Sequence, residues 1–358
     1  METPFIKGLE LSRLLYEEAV APLLAAHFPE LPHSAGLLFH GSEVLGFDTP
    51  QSRDHDWGPR LQLFLAENAT DTLRSEIDAL LRRDLPGEIH GYPINMACGE
   101  EARVTMGQDT GHAVMITTVR RFAQHVLVWV CTSPPNAVDW VTFPQQHLRS
   151  IRSGALFHDG LGSLTPLRKT LDTYPHDVWL YLMAAQWQRI SEEEHFMGRC
   201  GQVGDDLGSR LIAGRLVHDI VGLCFLMERQ YAPYIKWFGS AFAALASAEV
   251  LQPNLIEVLR AETWPARERH LSAAYERLAV QHNALSITPP LPTEVTPFHD
   301  RPFQVIQAGR FVDALRALIT DPDVLALPPH LGGLDQWTDS TEVVNSLRRL
   351  DRFTFAYR

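Results

Sequence analysis

Cysteine is scarce in this chain of 358 residues. It occurs four times, at Cys98, Cys131, Cys200 and Cys224, and never as a C-x-x-C pair. Zinc ribbons and disulfide frameworks both need cysteines at close, regular spacings, so this distribution excludes them. We expect the four thiols to be reduced and to lie in the protein core.

Long apolar runs are missing as well. No segment offers the roughly eighteen consecutive uncharged apolar residues that a transmembrane helix needs. The first residues, METPFIKGLELSRLLYEEAV, carry charges throughout, unlike a secretory leader. We therefore expect a bacterial-type cytoplasmic protein with no membrane partner.

Basic residues are outnumbered by acidic ones, 31 to 43, which gives a net charge of −12. Broad nucleic-acid binding depends on neutralising many phosphates, so this charge argues against nucleic acid as a partner. We expect a small acceptor molecule rather than tRNA or DNA. An acidic surface would suit a cationic acceptor such as an aminoglycoside.

The richest chemical signal lies in residues 37–65, LLFHGSEVLGFDTPQSRDHDWGPRLQLFL. A first apolar run ends at Gly41 and Ser42, and eleven residues separate Ser42 from Asp54. On an extended segment, Asp54 and Asp56 point to the same side, about 7 Å apart. Two such carboxylates repel each other unless a cation lies between them, and Mg²⁺ prefers one or two carboxylates plus phosphate oxygens. The pattern therefore predicts that Asp54 and Asp56 hold a nucleotide-bound metal.

Gly41 and Ser42 suit a phosphate for separate reasons. Gly41 permits a close approach of the backbone. Ser42 offers a hydroxyl and an amide at the start of a predicted short helix, residues 42–47, where the partial positive charge favours phosphate. We predict that both residues bind the triphosphate of a nucleotide.

Gly41-Ser42, the eleven-residue gap and the Asp54/Asp56 pair resemble the signature of the DNA-polymerase-β-type nucleotidyltransferase superfamily, which includes the antibiotic nucleotidyltransferases. Two later segments, RQYAPYIKWFGSAF and GGLDQWTDSTEVV, resemble an uncharacterised helical domain found behind such nucleotidyltransferase-like domains in bacteria. The resemblance implies transfer of a nucleoside monophosphate from a nucleoside triphosphate such as ATP to a hydroxyl of a small molecule. It also implies two Mg²⁺ ions held by the aspartate pair.

One part of the superfamily pattern is absent. Many members carry a third acidic residue on a later strand of the sheet, but the predicted strand at residues 112–119 contains none. His112 is a candidate base there, although a lone histidine beside a strand more often packs or hydrogen-bonds. The nearest acids in the sequence are Glu88, Glu100, Glu101 and Asp109. The alternative function is therefore a nucleotide-sensing or partner-binding protein that keeps the fold and the aspartate pair but has lost catalysis.

Apolar periodicity, taken with this resemblance, predicts an α+β protein of two domains. Residues 1–155 are expected to form a nucleotidyltransferase-like domain with a mixed sheet and helices, and residues 156–358 an all-α helical bundle. Strands are predicted at 36–40, 57–66, 89–97 and 112–119. Helices are predicted at 10–27, 70–84, 178–190, 206–229, 234–248, 254–262, 266–283 and 310–320. Residues 130–162 are predicted to form connecting structure.

The second domain also carries candidate site residues. Pro233 is expected to interrupt a helix, which leaves Tyr231, Tyr234 and Lys236 beside a break where side chains can turn toward a cleft. We predict that Lys236 contacts the triphosphate, because two metal ions do not neutralise all of its charge. Packing of the aromatic residues, with Lys236 directed to solvent, is the alternative.

Two further patterns suggest other roles, one structural and one catalytic. Arg215, His218 and Asp219 share one face of a predicted helix, where we expect a buried ion pair between helices. Histidine-aspartate dipeptides suggest a different enzyme class, a helical metal-dependent phosphohydrolase that binds its metal through His and Asp. These dipeptides occur at positions 55/56, 158/159, 176/177, 218/219 and 299/300.

Overall fold

The computed structural model describes residues 4–52, 57–94, 111–344 and 353–357. The chain divides into two compact units. Unit 1 comprises Met1–Pro134 and His147–Asp172, and unit 2 comprises Pro135–Gln146 and Thr173–Arg358. The chain therefore enters unit 2 briefly and returns to unit 1 before it forms the rest of unit 2.

One small mixed sheet of four strands, two sheets of two short strands each and many helices confirm the predicted α+β class. The strands are β1 (His33–Leu37), β2 (Leu61–Leu65), β3 (Glu88–Ile89), β4 (Tyr92–Pro93), β5 (Val114–Thr118), β6 (Ala155–Asp159), β7 (Thr296–Pro297) and β8 (Gln304–Val305). The helices are α1 (Gly8–Leu14), α2 (Ala21–His27), α3 (Asp71–Asp84), α4 (Val119–Leu127), α5 (Ala137–Thr142), α6 (Gln145–Ser153), α7 (Leu164–Thr170), α8 (His176–Glu193), α9 (Phe196–Gln202), α10 (Asp206–Met227), α11 (Ile235–Phe242), α12 (Ala246–Arg260), α13 (Trp264–Ala284), α14 (Gly309–Arg316), α15 (Pro322–Leu325), α16 (Leu334–Trp337) and α17 (Thr341–Val344). A π-helical segment, Leu15–Val20, joins α1 to α2, and a 3-10 helix covers Thr354–Tyr357.

The sheet of unit 1 has the strand order β5-β2-β1-β6. Strand β1 is antiparallel to both β2 and β6, whereas β2 and β5 are parallel. Gly36, near the end of β1, lies opposite Gln62, near the start of β2. The chain that leaves β1 and the chain that enters β2 therefore lie at the same end of these two strands.

Helices pack on this sheet through a continuous apolar cluster. Leu15 from the π-helical segment and Ile77 from α3 are fully buried in that cluster with Leu63 from β2. Full burial of an aliphatic side chain of this size stabilises the fold by about 1.5–3 kcal/mol. Helix α3 begins where the sequence predicts, because the hydroxyl of Thr70 accepts a hydrogen bond from the N–H of Leu73 (3.1 Å) and caps its first turn.

Residues 130–162 form regular elements rather than the predicted connecting structure. They contain α5, α6 and β6, and β6 pairs with β1 along most of its length. The glycine before β6 has a packing role, since a Cβ on Gly154 would come closer than 3.0 Å to the carbonyl oxygen of Leu37 and the Cα of Leu38. Glycine in this position permits a close approach of two backbones, a requirement that composition alone does not separate from a loop. The predicted domain boundary near residue 155 falls at the first residue of this strand.

Helices form nearly all the regular structure described in unit 2. Its core includes Trp187 stacked on Phe311, with ring centroids 4.2 Å apart, and a fully buried Tyr275. The predicted helix at 234–248 is two helices, α11 and α12, separated by a turn at residues 243–245. No single helix in the described part of the chain is long and apolar enough to cross a membrane. Helices α11 and α12 together have the required length and apolar character, but they are bent by 111° relative to each other.

Two ion pairs join α8 to α10; the carboxylate of Asp219 is buried as predicted, whereas the Arg215 side chain is 59% exposed. Asp219 accepts a hydrogen bond from Nε of Arg189 (2.9 Å), and Arg215 pairs with Glu193. The start of α10 is also as expected, because Asp205 accepts the N–H of Gly208 (2.8 Å).

Candidate functional site

The loop that contains Gly41 and Ser42 follows β1, but the predicted helix at 42–47 is wrong. The segment is a single turn, closed by hydrogen bonds from the N–H of Phe47 to the carbonyl of Ser42 (2.9 Å) and from the N–H of Gly46 to the carbonyl of Glu43 (3.1 Å). Gly46 has φ +79°, the left-handed conformation that ends a helix with this pair of bonds. Because no helix follows Ser42, the favourable helix charge expected at this position is not available.

The polar groups of Gly41 and Ser42 are nevertheless uncommitted. Neither the two backbone N–H groups nor the Ser42 hydroxyl hydrogen-bonds to another described residue. Both residues are partly exposed. The turn therefore presents three hydrogen-bond donors that a phosphate group can accept from.

Gly41 is also required by its surroundings. Its φ of +93° lies in the region that favours glycine. A Cβ at this position would come closer than 3.0 Å to the carboxylate of Glu43 and to Nη2 of Arg60. The turn is therefore built around a glycine that lies directly against an ion pair.

That ion pair, between Glu43 and Arg60, is buried beneath the turn. The Glu43 side chain is fully covered, and Arg60 donates both to Glu43 and to the carbonyl of His40 (3.1 Å). Burial raises the pKa of Glu43, while the nearby Arg60 charge acts in the opposite direction. Sequence reasoning missed this pair, because a glutamate in a polar turn and an arginine before a strand both read as surface residues.

A second buried carboxylate fixes the far end of the loop. Asp48 accepts hydrogen bonds from the N–H of Gly8 (2.8 Å) and from Nε1 of Trp57 (3.1 Å), and it pairs with Lys7 (3.1 Å). Trp57 is the first described residue after the gap at 53–56. The predicted metal ligands Asp54 and Asp56 lie within that gap, outside the described residues, and their role stays a prediction.

The histidines near this part of unit 1 are held as neutral, structural groups. Burial, with His147 and Arg60 nearby, lowers the pKa of His40 to about 3. His112 is 5% exposed, its Nδ1 accepts the N–H of Val114 (3.2 Å), and its Nε2 lies 3.2 Å from Asp78. His112 therefore links the start of β5 to α3, the structural role that is usual for a lone histidine beside a strand.

A cavity opens at the end of β2 that is farther from the Gly41-Ser42 turn. Its volume is about 590 Å³, and its walls include Leu65, Val119, Trp129 and Leu167. Neither Gly41 nor Ser42 lines it. The sequence analysis did not identify this cavity, since its lining comes from segments that are far apart in the chain.

Lys236 lies in unit 2, at the second position of α11, and is exposed. Its Nζ is 5.3 Å from the ring centroid of Trp237. The predicted helix break is confirmed, because α10 ends at Met227 and α11 begins at Ile235. Contact of Lys236 with a triphosphate stays a prediction.

The aspartates of three of the described histidine-aspartate dipeptides, at 158/159, 176/177 and 218/219, accept hydrogen bonds from other parts of the chain. Asp159 accepts from the hydroxyls of Ser34 (2.8 Å) and Thr165 (2.7 Å), and Asp177 accepts from the N–H of Thr320 (2.7 Å). No group of three His, Cys, Asp or Glu side chains in the described ranges is arranged to hold a metal ion.

Unit 2 contains a small polar cavity that includes Asp335. The Oδ2 atom of Asp335 accepts the N–H of Gln145 (2.9 Å), and Oε1 of Gln145 accepts the N–H of Ala232 (3.0 Å). Burial raises the pKa of Asp335 to about 6, although the Gln145 hydrogen bond acts to lower it. This carboxyl group therefore ties the start of α6 to α16 and retains its proton at a higher pH than an exposed aspartate does.

We expect Asp335→Asn to stabilise the protein at pH 8 and to have little effect at pH 4. The unfolded chain ionises this group near pH 4, whereas the folded chain does so near pH 6, so the wild type loses stability as the pH rises between these values. Asparagine avoids this loss, about 3 kcal/mol, and can still accept the N–H of Gln145. Melting temperatures of both proteins at pH 4.5, 6 and 8 test the prediction. A difference that does not grow with pH would contradict it.

Residues 140–238 match a family model described as "Domain of unknown function (DUF4037)". The matched stretch begins within α5, ends within α11 and includes Lys236. No curated protein matches the chain, and no solved structure does.

Proposed function

We propose that this protein binds a nucleoside triphosphate at the Gly41-Ser42 turn and transfers its nucleoside monophosphate to a hydroxyl of a small molecule. In this proposal, residues 1–155 have a nucleotidyltransferase fold, and a helical domain at residues 156–358 follows it. Asp54 and Asp56 hold Mg²⁺, and Lys236 adds a phosphate contact.

The observation that carries the proposal is that contacts link the described residues on either side of residues 53–56 to each other and, through Arg60, to the Gly41-Ser42 turn. Asp48 precedes these residues and bonds to Trp57, which follows them. Arg60, three residues further on, pairs with Glu43 inside the turn. These contacts support the proposal that the segment containing Asp54 and Asp56 lies close to the uncommitted donors of Gly41 and Ser42.

The chemistry assigned to the described residues is binding and orientation. The N–H groups of Gly41 and Ser42 and the Ser42 hydroxyl would donate to phosphate oxygens, and charged acceptors make such bonds strong. Gly41 lets the backbone come close, and the buried pair beneath it keeps the donors in place. Mg²⁺, when bound by the aspartates, would neutralise charge that develops on the transferred phosphoryl group.

A nucleotide-sensing function without catalysis has a specific observation in its favour. Strand β5 carries no acidic residue, and the nearby His112 is committed to structural contacts with Val114 and Asp78. The described residues thus contain no obvious group to take the proton of an acceptor hydroxyl. A sensor would bind the nucleotide with Mg²⁺ and release it unchanged.

Thermal unfolding in the presence of each nucleoside triphosphate with Mg²⁺ tests binding. A ligand at a hundred times its dissociation constant adds about 2.7 kcal/mol to the free energy of unfolding, so at least one nucleotide should raise the melting temperature clearly. Ser42→Ala should lower the affinity for that nucleotide about tenfold, the effect of one lost hydrogen bond to a charged group.

Ser240→Ala is the matched control, because Ser240 is an exposed serine of α11. It should leave the nucleotide effect unchanged. Absence of stabilisation by every nucleotide would contradict the proposal, as would equal stabilisation of wild type and Ser42→Ala.

A further inference from the structure

The polar cavity of unit 2 has a volume of about 90 Å³. A water molecule needs at least about 10–15 Å³ by this measure, so the cavity holds a group of a few heavy atoms. Its lining includes Arg189, Asp219, Gly222, Phe238 and Asp335. Most of the lining residues fall within the 140–238 family match.

A chain of hydrogen bonds fixes the orientation of the amide side chains at this cavity. The N–H of Gly333 donates to Oε1 of Gln336 (2.7 Å), Nε2 of Gln336 donates to Oε1 of Gln186 (2.8 Å), and Nε2 of Gln186 donates to Oδ1 of Asp219 (3.1 Å). Each amide therefore has a defined direction, and the chain ends on the carboxylate of Asp219. Such a network holds its members rigidly because every donor is matched.

Asp219 retains an unused acceptor at the end of this chain. Its Oδ1 accepts from Gln186 and from Arg189, but its Oδ2 is buried and has no hydrogen-bond partner in the described structure. The residue is 1% exposed. Burial acts to raise the pKa of Asp219, but the nearby His218 and Arg189 lower it overall, so the group is ionised at neutral pH. A buried carboxylate oxygen without a donor is unfavourable and gains from a ligand that supplies one.

The cavity also has an excess of negative charge. Asp219, Asp335 and Asp339 line it, together with one guanidinium group, that of Arg189, and one imidazole, that of His218. This guanidinium is already committed, since its Nε donates to Asp219 and its Nη1 donates to the carbonyl of Gln336. Asp335 retains its proton up to about pH 6, as expected for a carboxyl group without a cation beside it.

From these contacts we infer that the cavity binds the protonated amine of a small organic molecule, with Asp219 and Asp335 as its charged acceptors. An ammonium group supplies three N–H donors and one positive charge, which match the unused oxygen of Asp219 and the carboxyl group of Asp335. The apolar walls at Phe238 and Ile235 suit a short hydrocarbon body. An organic cation fits better than a metal ion, because no three ligand side chains converge here among the described residues. The inference does not depend on the proposed nucleotidyltransferase function.

Titration calorimetry of the full chain with 1-butylammonium chloride at pH 7.5 tests the inference. We expect saturable binding to one site, and no binding of 1-butanol, which has the same shape without the charge. Sodium chloride at equal ionic strength controls for screening. Absence of 1-butylammonium binding, or equal binding of 1-butanol, would overturn the inference.

Asp335→Asn removes one acceptor charge in a protein that we expect to be at least as stable as the wild type at this pH. It should lower the affinity for 1-butylammonium about tenfold, which corresponds to the loss of one charged hydrogen bond. Since the variant gains stability while it loses the ligand, misfolding cannot imitate the result. Unchanged affinity would overturn the assignment of Asp335.

A pair of glycine variants in α10 locates the ligand. A Cβ on Gly222 would lie 3.3 Å from Nε2 of Gln186, at the cavity wall, whereas a Cβ on Gly214 meets nothing within 4 Å. Gly214→Ala should stabilise the helix by up to about 1 kcal/mol, whereas Gly222→Ala also requires the Gln186 amide to move by a few tenths of an ångström. We expect Gly222→Ala to weaken 1-butylammonium several-fold and Gly214→Ala to leave it unchanged. Equal affinities of the two variants would place the ligand elsewhere and overturn the inference.

Discussion

Asp54→Asn is expected to abolish nucleotidyl transfer and to leave the fold intact. If Asp54 and Asp56 hold the metal ions, the loss of one carboxylate charge removes a ligand and part of the charge balance on the triphosphate. Activity should fall by at least about a thousandfold, as it does when a group that stabilises the transition state directly is lost. Pyrophosphate release in the presence of Mg²⁺, each nucleoside triphosphate and a bacterial small-molecule extract measures the loss.

The control for this experiment is Asp300→Asn, which makes the same chemical change at a side chain that is 94% exposed. It should retain wild-type activity. Substantial activity of a clean Asp54→Asn preparation would reject the role of Asp54. Nucleotide binding by the wild type without pyrophosphate release would support the sensor and reject the enzyme.

Gly41→Ala is expected to destabilise the protein by roughly 3 kcal/mol or more and to abolish the effect of nucleotide on the melting temperature. A left-handed residue with a Cβ is strained by about 1–2 kcal/mol. The added Cβ also meets Glu43 and Arg60 closer than 3.0 Å, so the buried ion pair must move or break. Because the donors of Gly41 and Ser42 rest on this pair, the proposed phosphate site should be lost with it.

Gly46→Ala is the matched control in the same turn. Gly46 also has a left-handed φ, +79°, but a Cβ on it meets nothing within 4 Å. This variant should show only the backbone strain, about 1–2 kcal/mol, and should still bind nucleotide. Chemical denaturation measures the free energy of unfolding of both variants. Equal destabilisation of the two would show that the contact with Glu43 and Arg60 contributes nothing.

Local sequence signals predicted the elements that are determined by residues close to them in the chain. Helix α3 has a capping Thr70 and buried residues at helical spacing, and it begins and ends as expected. The break after Met227 is also recognisable, because Pro233 cannot continue a helix. The α8–α10 ion pairs follow from the shared face of Arg215 and Asp219. For the helix start and the helix break, the determinant lies within a few residues of the feature.

The features that sequence reasoning missed depend on contacts between distant residues. Strand β6 looks like a loop until its pairing with β1 is known, since its flanking glycines are the usual marks of a turn. The short turn after Ser42 ends at Gly46, whose left-handed conformation the pattern did not reveal. Burial of Glu43 likewise depends on its partner Arg60, which the spacing of charges does not identify.

Amide hydrogen exchange at Gly41 and Ser42, followed by NMR, tests the central claim most directly. Both N–H groups lack an acceptor among the described residues, so they should exchange rapidly in the free protein. Addition of Mg²⁺ with a nucleoside triphosphate should slow both by at least about tenfold, because each amide then donates to a phosphate oxygen. Nucleotide binding that leaves these two amides unchanged and protects others would contradict the account.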